Sequence, residues 1–128
     1  MIAMKDVNHL LIVDDSGTAR MIVKQCLEIA GFRGKDFLEA ENGSDALVLL
    51  QQKPVDIVFA DLNMPIMSGQ ALLQAIKADG QLKSIPVIVI TSCSNEARER
   101  ALRADGAVAV LNKPFSPVAL FKSFDTFQ

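Results

Sequence analysis

His9-Leu10-Leu11-Ile12-Val13-Asp14-Asp15 decides how the rest of this chain is read. A short, uninterrupted apolar run stops at a pair of acids, and the pattern returns further on. Val55-Asp56-Ile57-Val58-Phe59-Ala60 stops at Asp61, Pro86-Val87-Ile88-Val89-Ile90 at Thr91-Ser92, and Ala107-Val108-Ala109-Val110-Leu111 at Asn112-Lys113-Pro114. Runs of this length, bounded by polar residues and rich in β-branched side chains, read as strands buried on both faces. Strands are predicted over 8–13, 55–60, 86–91 and 107–112, with a weaker one from Asp36 to Ala40, where Asp36 and Glu39 dilute the signal.

Helical spacing fills the intervals. Ala19, Ile22, Val23, Cys26, Leu27 and Ala30 recur on one face, and Gly31 supplies a stop. Asn42-Gly43-Ser44 opens a second helix carrying Ala46, Leu47, Leu49 and Leu50. Ser68 caps a third with Leu72, Leu73 and Ile76, which Asp79-Gly80 closes. A charged helix from Asn95 to Asp105 has only a narrow apolar stripe and ends at Gly106. Ser116-Pro117 opens the last, with Leu120, Phe121, Phe124 and Phe127 on one side. Five βα units with continuous apolar strands define an α/β fold: a doubly wound, five-stranded parallel sheet with helices on both faces. In such sheets the working site lies beyond the carboxyl ends of the strands, where strand order reverses. All four polar stops stand at strand carboxyl ends.

Size and charge bound the function. The 128 residues form one domain, and half of them are apolar, enough to bury about two-thirds of the unfolded surface without a structural metal. The net charge of −2 and the scatter of Lys and Arg argue against direct nucleic-acid binding. No run reaches the roughly 20 apolar residues that span a bilayer. The first residues also lack the order of a signal peptide, so a cytoplasmic location is expected. Cys26 and Cys93 have no CxxC or Cys/His partners; both are expected reduced, with no zinc site.

The polar stops carry complementary chemistry. Asp14, Asp15 and Asp61 bring negative charge into one cleft, which a cation would neutralise. Oxygen ligands with room for water suit Mg²⁺. Asp15 and Asp61 are expected as direct ligands, Asp14 as one acting through water, and the backbone carbonyl of Asn63 as a further oxygen. Lys113 can pair with Asp61 and then with a phosphoryl oxygen, and Thr91 can donate its hydroxyl to another. A carboxylate nucleophile beside metal and lysine suits phosphoryl transfer, and Asp61, standing alone, is the nucleophile. Singly, each stop has a plainer reading as a helix cap or a turn; their joint occurrence at four strand ends is what specifies a site. His9 has no sequence partner and reads as a surface or packing residue.

As a set, Asp14-Asp15, Asp61-Leu62-Asn63-Met64-Pro65 with Gly69, Thr91-Ser92 and Lys113-Pro114-Phe115 resemble the receiver domain of bacterial two-component response regulators. The likeness runs from residue 8 to about 124. It implies the flavodoxin-like strand order 2-1-3-4-5 and one receiver domain over 1–128. Asp61 would be the phospho-acceptor, loaded from a histidine kinase or a histidine phosphotransfer protein. Mg²⁺ would sit at Asp14, Asp15, Asp61 and the Asn63 carbonyl, with Thr91 as switch hydroxyl and Lys113 as phosphoryl-binding lysine. The domain would catalyse its own phosphorylation and dephosphorylation rather than act as an enzyme on a separate substrate. It would then alter binding to a downstream protein or an output domain. The Lys113-Pro114 bond would be cis. Asn63 and Cys93 fall at positions that influence phosphate lifetime, and neither is a water-activating base.

One departure stands out. The family's moving aromatic, three residues before the lysine, is replaced by Val110, and the chain has no Tyr. A β-branched side chain has no ring to swing, so the signal is expected to pass through the loops after Asp61 and Thr91, or through the fourth helix. Two rivals share the fold. A flavodoxin-like flavin carrier could use Ser16-Gly17-Thr18 as a phosphate loop, but the chain lacks the Trp or Tyr that flanks flavin. A Mg²⁺-dependent phosphatase with an aspartyl intermediate would want an acid two residues past Asp61, where Asn63 stands.

Overall fold

The structure, a computed structural model, describes residues 4–92, 95–114 and 116–127, with side chains to Ser123 in the last helix. Cys93 and Phe115, and the side chains of Phe124 and Phe127, lie outside the described residues. Strands β1 (His9–Val13), β2 (Asp36–Ala40), β3 (Ile57–Asp61), β4 (Val87–Thr91) and β5 (Ala109–Asn112) alternate with helices α1 (Gly17–Leu27), α2 (Gly43–Gln52), α3 (Gly69–Ala78), α4 (Glu96–Ala104) and α5 (Pro117–Phe127). The strands form one parallel sheet in the order β2-β1-β3-β4-β5, as the resemblance implied.

Alternation along each strand divides the core into two layers. Leu10, Ile12, Ile57, Phe59, Ile88 and Ile90 face α1 and α5 and pack with Val23, Leu27 and Leu120. Leu11, Val13, Val58, Ala60, Val87 and Val89 face α2, α3 and α4 and pack with Leu50, Leu72, Ile76 and Leu102. Both sets are buried, which is why these strands read as unbroken apolar runs rather than as alternating ones.

Capping follows the sequence closely. The side chains of Ser16, Asn42, Ser68 and Asn95 each accept the amide three residues on, as does Ser116 at 3.2 Å before Pro117. Gly31 (φ 128°) closes a π-helical turn, Glu28–Phe32, that prolongs α1, and Gly106 (φ 113°) closes α4. Helix α3 ends at Asp79-Gly80 as expected. Gly80 is not left-handed; the Asp79 amide donates to the Ile76 carbonyl, and Asp79 Oδ1 accepts the amides of Gln81 (2.8 Å) and Leu82 (3.1 Å), which holds the turn that follows. Those two bonds, with one from Gln51, hold the Asp79 carboxyl below its ordinary pKa. In α5, Leu120 takes the core position, while Phe121 lies 48% exposed beside the exposed Ile29 and Val118. His9 is half-buried and pairs through Nδ1 with Asp36 at 3.1 Å, at the strand ends opposite the acids. Cys26 is buried and in no disulfide, and burial pushes its thiol pKa up.

Candidate functional site

Strand order reverses between β1 and β3, because the chain leaves β1 for β2 on one side and returns to pair β3 on the other. The carboxyl ends of these two strands carry Asp14 and Asp61. Parallel register then sets Asp61 opposite Ile90 and Thr91 opposite Asn112, so four distant segments end at one edge.

Asp14 is almost wholly buried and held at each polar group. Its amide donates to the Ala40 carbonyl at 3.1 Å. Oδ1 accepts the Ser16 amide at 2.9 Å, and Oδ2 accepts Lys113 Nζ at 3.2 Å. Asp15 beside it is exposed. Asp61, the last residue of β3, is also buried, and its Oδ1 lies 3.2 Å from Lys113 Nζ. Lys113 therefore bridges two carboxylates rather than pairing with Asp61 alone, because Asp14 and Asp61 end neighbouring strands. One oxygen from each of Asp14, Asp15 and Asp61 falls within 4.8 Å of the others.

This packing of like charge marks the electrostatics. Burial raises the Asp61 pKa; the Lys113 hydrogen bond opposes it, and the charge of Asp14 adds to the rise. For Lys113, burial works to lower the pKa, but the hydrogen bond and charge of Asp61, then those of Asp14, leave it raised and the ammonium held charged. Both shifts reflect one arrangement, in which two buried acids share the Lys113 ammonium and the exposed Asp15 stands beside them. Three hard oxygen donors at this spacing, with an exposed edge at Asp15, suit a divalent cation that keeps some water.

Thr91 is fully buried at the end of β4, and its carbonyl accepts the Lys113 amide at 2.8 Å. The Lys113-Pro114 peptide is cis, as expected. Asn63 is exposed in the loop between β3 and α3, where it lines a small polar hollow with Leu62, Ser68, Gln70 and Arg98. That loop is tightly drawn. The Leu62 amide donates to Ile90 and the Gly69 amide to the Leu62 carbonyl. A Cβ on Gly69 would run into the Asp61 carbonyl oxygen, so this position requires glycine by close approach rather than by φ. Ile66, 81% exposed, takes φ 70°, a left-handed conformation that β-branched residues rarely adopt.

The Ser16-Gly17-Thr18 segment does not present a free phosphate cradle: the Ser16 amide serves Asp14, and its hydroxyl caps α1. Val110 lies buried on β5, paired with Val89 of β4. Sequence reasoning missed Arg20 and Glu39. Arg20 Nη1 donates to the Asp14 carbonyl at 2.6 Å, and Nε donates to Glu39 at 2.8 Å. The one available signal was Glu39 itself, an acid placed after the apolar Phe37 and Leu38 within β2.

With fold and site in view, the class is set: the sequence matches the family model for the response regulator receiver domain over residues 10–125, and the chain belongs to that family. It is 40% identical over 118 residues to chemotaxis protein CheY-3 of Vibrio cholerae serotype O1, covering 91% of this chain and 88% of that protein. Among solved structures it is similar to chemotaxis response regulator CheY4 of Vibrio cholerae, with a TM-score of 0.82 and 30% identity, covering 95% of this chain and 99% of that one. It is also similar to the Mn²⁺-bound form of response regulator Rcp1, with a TM-score of 0.74 and 27% identity over 91% of this chain and 88% of that one. This is a CheY-like signalling receiver. Among the described residues, no helix is long and apolar enough to cross a membrane.

Proposed function

We propose that Asp61 accepts a phosphoryl group from the phosphohistidine of a histidine kinase or histidine phosphotransfer protein. The observation that carries this reading is the shared lysine, with Lys113 Nζ at 3.2 Å from both Asp61 and Asp14 inside a three-acid cluster. An Asp61 carboxylate oxygen forms the new P–O bond as the donor's P–N bond breaks, and that electron pair leaves on the imidazole nitrogen. Lys113 shifts from the carboxylates to a phosphoryl oxygen, and the Thr91 hydroxyl donates to another. Charge spread over the transferring group is met by fixed donors, where catalysis of this kind chiefly resides.

Mg²⁺ is the cation proposed, held by Asp14, Asp15, Asp61 and the Asn63 carbonyl; when bound it supplies neutralisation of the phosphoryl oxygens. The exposure of Asp15 and the prior engagement of both Asp14 oxygens support direct ligation by Asp15 and a water-mediated role for Asp14. The Mn²⁺ in the Rcp1 structure supports a divalent cation in this fold. The domain acts as a phosphoryl acceptor with self-catalysed loading and loss, in the cytoplasm, and its phosphorylated state changes binding to a downstream protein. With Val110 on β5, that change passes through the loops after Asp61 and Thr91, or through the face of α4.

Intact mass after incubation with Mg²⁺ and a small phosphodonor tests the reading. A phosphate-sized gain, absent without Mg²⁺ and absent in Asp61→Asn, is the expected result. No gain with any donor, or an undiminished gain in the variant, overturns it.

A further inference from the structure

The two acids at the end of β1 share one peptide plane, and its carbonyl oxygen belongs to Asp14. That oxygen accepts Arg20 Nη1 at 2.6 Å. The same guanidinium is anchored through Nε to Glu39 Oε1 at 2.8 Å, and the Arg20 side chain is only 14% exposed. On the other flank the Asp14 amide is tied to Ala40, the residue after Glu39. The turn carrying both acids is therefore clamped from α1 and from β2 at once.

We propose that Arg20 is a positioning residue for the divalent cation: it orients the Asp14–Asp15 peptide, and Glu39 keeps its guanidinium on the carbonyl and off the acids. This rests on the reading of Asp14 and Asp15 as cation ligands. A planar guanidinium has fixed donor directions, so it can hold two acceptors in one geometry where an ammonium cannot. Glu39 balances its charge, so the pair works by geometry rather than by field. The two possibilities differ in sign. Removing a nearby positive charge would tighten cation binding, whereas loosening the ligand turn would weaken it.

Mn²⁺ affinity, read from the electron paramagnetic resonance of free ion, separates them on the full chain. Arg20→Ala should raise the Mn²⁺ dissociation constant about tenfold, the usual order for residues that orient metal ligands. Arg20→Lys, which keeps the charge, should recover less than half of that loss. Glu39→Ala reaches the clasp from an exposed side chain and should weaken Mn²⁺ binding in the same direction, whatever the folding of the Arg20 variants. Unchanged or tighter Mn²⁺ binding in folded Arg20→Ala or in Glu39→Ala overturns the proposal. So does full rescue by lysine. A wild-type chain that binds Mn²⁺ but takes no phosphoryl group would sink the phosphoryl reading alone and leave this comparison standing.

Discussion

Asp61→Asn should make the metal-free protein more stable, although it removes a lysine–carboxylate pair. At an effective dielectric constant of about 20, the Asp61–Lys113 pair at 3.2 Å attracts by about 5 kcal/mol. Each carboxylate within 4.8 Å repels by about 3.5 kcal/mol or more at the same dielectric constant. The share from Asp15 is smaller, because that side chain is exposed and screened. Burial of Asp61 tips the remainder against the charge, the direction its raised pKa records. Lys113 meanwhile keeps Asp14 as a partner at 3.2 Å in the variant. The expected gain is about 1 kcal/mol, or roughly 4 °C in melting temperature for a domain of this size. Circular dichroism melts in a chelator at neutral pH measure it; no Trp or Tyr is present for fluorescence. The order should reverse in Mg²⁺, because ligand at a hundred times its dissociation constant stabilises the wild type by about 2.7 kcal/mol and the variant has lost a ligand. A variant that melts below the wild type in chelator would refute the reasoning, since the lysine pair would then outweigh the repulsion.

Acid should narrow the same gap. Asp61 has a folded pKa raised above 3.8, so its contribution to stability is favourable below that value and is lost as pH rises through the folded pKa. The wild type and Asp61→Asn should therefore converge in chelator melts as pH falls through the raised pKa, and Mg²⁺ affinity should fall over the same range. Gly69→Ala would drive a methyl group into the Asp61 carbonyl oxygen; a loss of about 1–3 kcal/mol should appear in denaturant titration, along with weakened Mg²⁺ binding. Ile66→Asn should stabilise by about 1 kcal/mol, because asparagine tolerates the left-handed conformation and the isoleucine at 81% exposure gives up little burial. Urea midpoints for the two proteins test this.

Much of the site was legible because each functional group stands at a point where local rules change. An apolar strand must stop at its carboxyl end, and Asp14, Asp61, Thr91 and Lys113 occupy those stops, so strand prediction and site prediction were one inference. Helix starts were equally local, since Ser16, Asn42, Ser68 and Asn95 each cap by bonding three residues ahead. The strand order came from the motif resemblance; composition and periodicity do not distinguish it from other doubly wound orders.

Tertiary structure alone decided how these groups share their charges. Lys113 bridges Asp14 and Asp61 because β1 and β3 are neighbours, a relation across 99 residues for Asp14 that no sequence window contains. Glu39 looked like a flaw in a weak strand; in the fold it is the anchor for Arg20, because β2 brings its end beside α1. Gly69 matched a motif, but only the approach of the Asp61 carbonyl explains why no side chain fits there. The chain thus encodes its elements and their reactive ends locally, through periodicity and capping. The electrostatic balance of the site arises only when distant strand ends are buried within a few ångströms of one another, where burial raises the Asp61 pKa and the Lys113 bond and the neighbouring acids modify that rise.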